Sequence, residues 1–210
     1  PNDNRTTGGF TPLMAAAGWA NPNALKALLS QSAGGKVDLE LGSRLNNATS
    51  LDLAAYASTP EIADLLLEAG ANRLHTNDHG GNMLLNACQN PRATPAMLAA
   101  LWGSGTIDIN YSARPKNLKW RLIDKVFRFG LRSGLMPQSE FVMGMAHSEG
   151  ATALHWAAAH GHLLQVAWLL KHGAHLSLRT TNKLGATPVD LARMFGPHPE
   201  VEAMLGSAML

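Results

Sequence analysis

Along this chain apolar residues gather in short runs of two kinds, one of small side chains and one rich in leucine, which alternate and are separated by glycines and polar turns. The stretch from Glu149 to Ala174, EGATALHWAAAHGHLLQVAWLLKHGA, shows the alternation most completely. Thr152 precedes Ala153 to Ala159, a run of small residues with Leu154 and Trp156 that predicts a slim helix able to lie close against two neighbours. Gly161 can take the positive φ that closes a helix C-terminus, and Leu163, Val166, Leu169 and Leu170 then recur at the period of a second, bulkier helix that stops at Gly173. Two helices of this size cannot bury both apolar faces alone, so the unit predicts similar units stacked beside it.

These residues resemble the ankyrin repeat. Its pattern of G-x-T-P-L-H-x-A-A-x-x-G-H, followed by an apolar helix ending L-L-x-x-G-A, is met by Gly150, Thr152, Leu154, His155, Ala157, Ala158, Gly161, His162, Leu169, Leu170, Gly173 and Ala174, with Ala153 where the family has Pro. Read against that pattern, the chain holds further copies. Gly9 to Ala17 with Asn23 to Leu29 makes a first repeat, in which Met14 replaces the family's His, and a polar bulge at Ser30 to Lys36 precedes the extended Val37-Asp38-Leu39. Thr49 to Ala55 with Glu61 to Leu67 makes a second, and Asn72 to Gly81 reads as the next hairpin finger. Asn82 to Cys88 with Pro95 to Trp102 keeps the apolar spacing of a third repeat but lacks the Thr-Pro start, and Thr187 to Ala192 with Pro199 to Leu205 makes the last. The resemblance implies a single all-α solenoid of stacked helix-turn-helix units, with repeats at about 5–43, 44–76, 77–110, 147–181 and 182–210.

Spacing exposes one irregularity. The anchors Thr11, Thr49, Asn82, Thr152 and Thr187 are separated by 38, 33, 70 and 35 residues, against a family period of about 33. Residues 111–146 therefore form an insertion or a repeat eroded past recognition. From Tyr111 to Ser148 the chain carries Arg114, Lys116, Lys119, Arg121, Lys125, Arg128 and Arg132 against Asp124 and Glu140, a net charge of +5, whereas the remainder has a net charge of -3. Asn117 to Ser133 has helical periodicity, with Arg121, Lys125, Arg128 and Arg132 in one stripe and Trp120, Leu122, Ile123, Val126, Phe127 and Leu131 on the opposite side. Such a helix either docks its apolar face on neighbouring repeats or serves as a binding element for an acidic protein or an anionic membrane.

Composition narrows the chemistry. Charged residues are 15% of the chain, and its one cysteine, Cys88, excludes an internal disulfide framework. No run is long enough to span a membrane and no signal sequence opens the chain, so an intracellular, cytoplasmic or nuclear location is expected. The first residue is Pro1 rather than Met, which reads as an excised or processed fragment. Six of the nine histidines lie between His147 and His175, but no cysteine or carboxylate joins them at ligand spacing, so no metal is expected. Asp52 and Asp190 occupy the repeat position of His155 and are expected to cap helices. No phosphate loop, nucleophile elbow or cofactor motif is present, so neither enzymatic activity nor a cofactor is expected, and nucleic acid is not an expected partner.

The resemblance implies a protein-binding module whose fingers and inner helices line a concave groove. Mapped onto this chain, the groove residues are Phe10, Trp19, Asn46, Tyr56, Asp78, His79, Gln89, Asn90, Glu149, His160, Lys183, Met194 and Phe195. Trp19, Tyr56 and Phe195 are the principal candidates, since aromatics give large contact areas with few rotatable bonds. Two other readings are an anionic-membrane or acidic-ligand binder acting through residues 117–133, and a regulatory or targeting domain of a larger enzyme.

Overall fold

A computed structural model of the chain describes residues 9–30 and 37–209. The start of the first expected repeat, residues 5–8, and most of the polar bulge, residues 31–36, lie outside the described residues. Among the described residues the regular structure is helical, with isolated bridges pairing Thr76 with Asn82 and Ser112 with Thr152. No helix is long and apolar enough to cross a membrane among the residues described. Two compact units are present, Pro1–Ile107 and Asp108–Leu210.

The first unit holds α1 (Pro12–Gly18), α2 (Pro22–Ser30), α3 (Ser50–Ala57), α4 (Pro60–Glu68), α5 (Met83–Ala87) and α6 (Pro95–Trp102). These make three antiparallel pairs, with α1, α3 and α5 stacked in one layer and α2, α4 and α6 in the other. The inner layer is close because its contact residues are small: Ala17, Ala54, Ala55 and Ala87 are fully buried. The outer helices contribute Leu25, Ile62, Leu66, Met97, Leu98 and Leu101, all without exposure beyond 1%.

Each inner helix begins where a side chain can satisfy free backbone donors. Thr11, Thr49 and Asn82 have extended backbone, and their side chains accept from the N–H groups of Met14, Asp52 and Leu85. Thr49 and Asp52 form a reciprocal capping box, with the Asp52 carboxylate accepting from Thr49 N–H at 2.9 Å. The same carboxylate reaches His75 Nδ1 at 2.7 Å and accepts from Asn86 Nδ2 at 2.9 Å, so the cap is also tied to the following repeat.

The second unit holds α7 (Leu118–Arg132), α8 (Glu140–His147), α9 (Ala153–Ala159), α10 (Leu163–Lys171), α11 (Pro188–Phe195) and α12 (Pro199–Ser207). All seven residues of α9 are buried, and α9 packs against α11 while α10 packs against α12. Gly161 closes α9 with φ +69°, and a Cβ there would also run into the His198 imidazole. A 3-10 turn at Ala174–Leu178 follows α10. Asn110 fastens this turn, donating to Gly173 C=O at 3.1 Å and accepting from Ser177 Oγ at 2.7 Å.

Thr187 and Asp190 repeat the capping box at α11, with Thr187 Oγ1 donating to Asp190 at 2.6 Å, and this bond holds the Asp190 pKa below the usual carboxylate range. Thr187→Ala is expected to cost about 1 kcal/mol of stability. The measure is urea unfolding at neutral pH, and an unchanged midpoint would show the cap to be idle.

Backbone pairing marks where the irregular segment leaves and rejoins the repeats. Ala113 N–H donates to Ala151 C=O and Gly150 N–H donates to Ala113 C=O, both at 2.8 Å, beside the Ser112–Thr152 bridge. In the first unit the corresponding finger closes through Asn77 N–H to Gly81 C=O, directly before α5. The basic segment is therefore inserted at the tip of the finger that precedes α9, and it folds into the helical hairpin of α7 and α8.

Candidate functional site

In the first unit, Trp19, Tyr56 and Gln89 stand near the C-terminal ends of consecutive stacked helices, Tyr56 and Gln89 seven residues after their N-caps and Trp19 eight after its own. Helices packed in this way lie about 8–10 Å apart, which sets the spacing between successive side chains. Trp19 is the C-cap of α1, its N–H held by Ala15 C=O at 3.0 Å, and its indole is 83% exposed. Tyr56, on the last turn of α3, is 52% exposed. Gln89 is half-buried and folds its amide back onto Leu85 C=O at 3.2 Å.

Phe10, Asp78 and His79 are half-buried. Asn46 is held by its own finger: its Oδ1 accepts from Ser43 Oγ at 2.9 Å, while its backbone carbonyl accepts from Asp78 N–H at 2.7 Å. Asn90 departs from the expected surface. It has no exposure, its Nδ2 donates to Ala55 C=O at 3.0 Å and Ser58 C=O at 2.8 Å, and its Oδ1 accepts from Arg92 N–H. It sits inside the protein because it satisfies the open carbonyls at the end of α3, and it presents nothing to a partner.

In the second unit the expected residues form two groups. Glu149 bridges Arg128 at 2.7 Å and approaches Lys183 at 3.9 Å, so residues assigned from sequence to the groove and to the basic helix meet in one ion cluster. Arg128 accordingly leaves the solvated stripe: its side chain is only 14% exposed, while Arg121, Lys125 and Arg132 remain exposed. The second group is aromatic. Half-buried Phe195 meets His147, Trp156 and His160 edge-on at 6.2, 6.4 and 6.4 Å, and His160 stacks on Trp156 and His162. Phe195 is thus partly engaged within its own unit, while Met194 beside it is 46% exposed.

Burial depresses the His160 pKa, and nearby His162 lowers it further, so the imidazole is biased toward its neutral form. His155 is wholly architectural. Thr152 Oγ1 lies 2.9 Å from its Nδ1, Thr152 N–H donates to the same nitrogen, and its Nε2–H donates to Ala186 C=O at 3.1 Å. Burial lowers its pKa to about 4. Cys88 is buried, which pushes its thiol pKa up and leaves it unreactive. Among the described residues no group of His, Cys, Asp and Glu is placed to hold a metal ion.

The basic helix also differs from its expected outline. Trp120 is buried and Ile123, Phe127 and Leu131 are half-buried, with Phe127 edge-on to Phe141 at 5.6 Å. Leu122 and Val126, expected on the same docked side, are instead 59% and 48% exposed. A helix apolar around most of its circumference cannot bury all of it against a single neighbouring layer. The capping residues fall where the periodicity placed the ends, with Asn117 accepting from Trp120 N–H at 3.1 Å and Ser133 at the C-cap.

Against known proteins, a family model described as ankyrin repeats in three copies matches residues 1–78, and one described as ankyrin repeats in many copies matches residues 154–205. No curated protein matches the chain significantly. Together the two family matches span more than half of the sequence, on either side of the inserted hairpin, and their residues coincide with the capped, stacked helix pairs described above. The chain belongs to the ankyrin repeat family.

Proposed function

We propose that the first unit binds a segment of a partner protein across the C-terminal ends of α1, α3 and α5, with Trp19 and Tyr56 as its anchors. Ankyrin repeats are in general protein-protein interaction modules and typically non-enzymatic. The observation that supports this reading is the exposure of two large aromatics near the C-terminal ends of two packed helices, each begun by a threonine capping box. A preformed surface loses little ordering entropy when a partner arrives, and aromatic side chains supply contact area with few rotors to fix. Phe10, Asp78, His79 and Gln89 supply the polar and apolar margin of this surface; within the second unit, taken by itself, Glu149, Lys183 and Met194 are the proposed partner contacts.

Partners captured on immobilised chain and identified by mass spectrometry provide the ligand for the test. Trp19→Ala and Tyr56→Ala are each expected to weaken the captured partner about tenfold, as for aromatic anchors elsewhere. Calorimetric titration measures this, with circular dichroism as the control for helix content. Unaltered affinity in both variants would remove the anchor assignment.

A further inference from the structure

Helix α7 has a second apolar face that the fold leaves uncovered. At 100° per residue Leu118, Leu122, Val126 and Phe129 fall within a sector of about 80°, on the side away from buried Trp120. Their exposures are 80%, 59%, 48% and 64%. Single exposed leucines are ordinary on a protein surface, but four in register along one helix are not. Arg121, Lys125 and Arg132 run along one margin of the stripe and Lys119 along the other, all exposed, while Arg114 and Lys116 are exposed just ahead of the helix. The only acid of α7, Asp124, is fully buried, and Arg128 is committed to Glu149. The outward face of α7 therefore carries positive charge of a single sign.

From these observations we infer that α7 docks on an anionic lipid surface, lying in the plane of the interface with Leu118, Leu122, Val126 and Phe129 in the acyl boundary and the cations at the level of the phosphates. The chemistry of the face selects this occupant. Protein interfaces mix apolar contacts with neutral hydrogen-bonding groups, yet Leu118 to Arg132 contains no Ser, Thr, Asn, Gln or His. Hydrocarbon flanked by Lys and Arg is the pattern of helices that bind within a bilayer interface, and it matches negative charge over an apolar layer. The helix is 15 residues, about 22 Å, long enough for the four apolar side chains to enter together. Its opposite side is already packed, and Arg128 holds it to Glu149, so the face is presented preformed. This docking is independent of the aromatic surface on the first unit.

Flotation with vesicles tests it, using the 210-residue chain with phosphatidylcholine-phosphatidylserine vesicles and with phosphatidylcholine alone. The chain is expected to float with the mixed vesicles, more weakly with neutral ones, and less as salt is raised. Each lost cation is expected to lower partitioning about fivefold, so Arg121→Glu, Lys125→Glu and Arg132→Glu combined give a loss of at least a hundredfold. Leu122→Gln with Phe129→Gln keeps the charge and is expected to lose about tenfold. All five positions are exposed, and circular dichroism verifies that the variants fold. As a direct reading of insertion, the emission of a Phe129→Trp variant is expected to shift to the blue on mixed vesicles. No flotation by the parent chain overturns the inference, including the case in which it binds an acidic helical peptide instead. Flotation that survives either set of substitutions overturns it equally.

Discussion

Asn90→Ala is expected to lower the stability of the chain by about 3 kcal/mol while leaving its partner-facing surface as it was. The side chain has no exposure, and its hydrogen bonds include those to Ala55 C=O, Ser58 C=O and Arg92 N–H. Alanine would remove the partners of two carbonyls at the end of α3 and of one amide. Arg92 also reaches back, to Ala57 C=O at 3.3 Å, so the end of α3 is held by two side chains of the following repeat. His198 performs the same service in the second unit, with its Nε2 3.0 Å from Ala159 C=O. Urea unfolding of Asn90→Ala beside Gln89→Ala is the measurement. The neighbouring glutamine is expected to be worth less than about 0.5 kcal/mol, as for surface positions generally. Equal losses in the two variants would show that burial of Asn90 carries no special weight.

Acidification should expose the second strong effect, at His155. Its Nδ1 accepts from Thr152 and its Nε2–H donates to Ala186, so the folded protein holds the ring neutral, with a pKa of about 4 against an ordinary value of 6.5. The unfolded chain therefore binds more protons between those two values, and stability falls as pH drops from 6.5 toward 4. At pH 5 the loss from this group is about 2 kcal/mol. His147 and His160, both depressed by burial, act in the same direction. Urea unfolding at pH 7 and pH 5 measures the difference, and His155→Gln is expected to reduce the acid-induced loss by that amount. An identical loss in the parent chain and the variant would mean that His155 is not the group being titrated.

Local signals in the sequence carried the helix pairs well. The expected outer helix at Pro95 to Trp102 coincides with α6, and Asn117 and Ser133 cap α7 where its periodicity begins and ends. Caps and hydrophobic period act within a few residues, which is why they can be read without knowing what lies across the interface. Helix α8 had no such signature: Gly144 interrupts a run of only eight residues, and its start rests on Ser139 accepting from Val142 N–H at 3.3 Å. The misplaced side chains share another cause. Asn90 is of a type usually found outside, and it is buried by carbonyls that lie 32 and 35 residues earlier in the chain. Leu122 and Val126 belong to a helix whose apolar residues cover most of its circumference, so periodicity alone could not say which part meets Phe141 and which meets solvent. Arg128 belonged to a regular basic stripe until Glu149, across the finger, selected it.

The finger before α9 has one further implication, for how such a chain can change. Ala113 is hydrogen-bonded to both Gly150 and Ala151, so the two strands of chain that enter and leave the inserted hairpin stand side by side, already closed. A segment spliced between them does not have to bridge any distance, and the entropy of closing it grows only with the logarithm of its length. Helix α9 begins immediately afterwards, with its own capping threonine and histidine in place, and α10 follows it. Such a fingertip is a socket: material can be added, exchanged or shortened there while the register of the repeats on the second unit is kept.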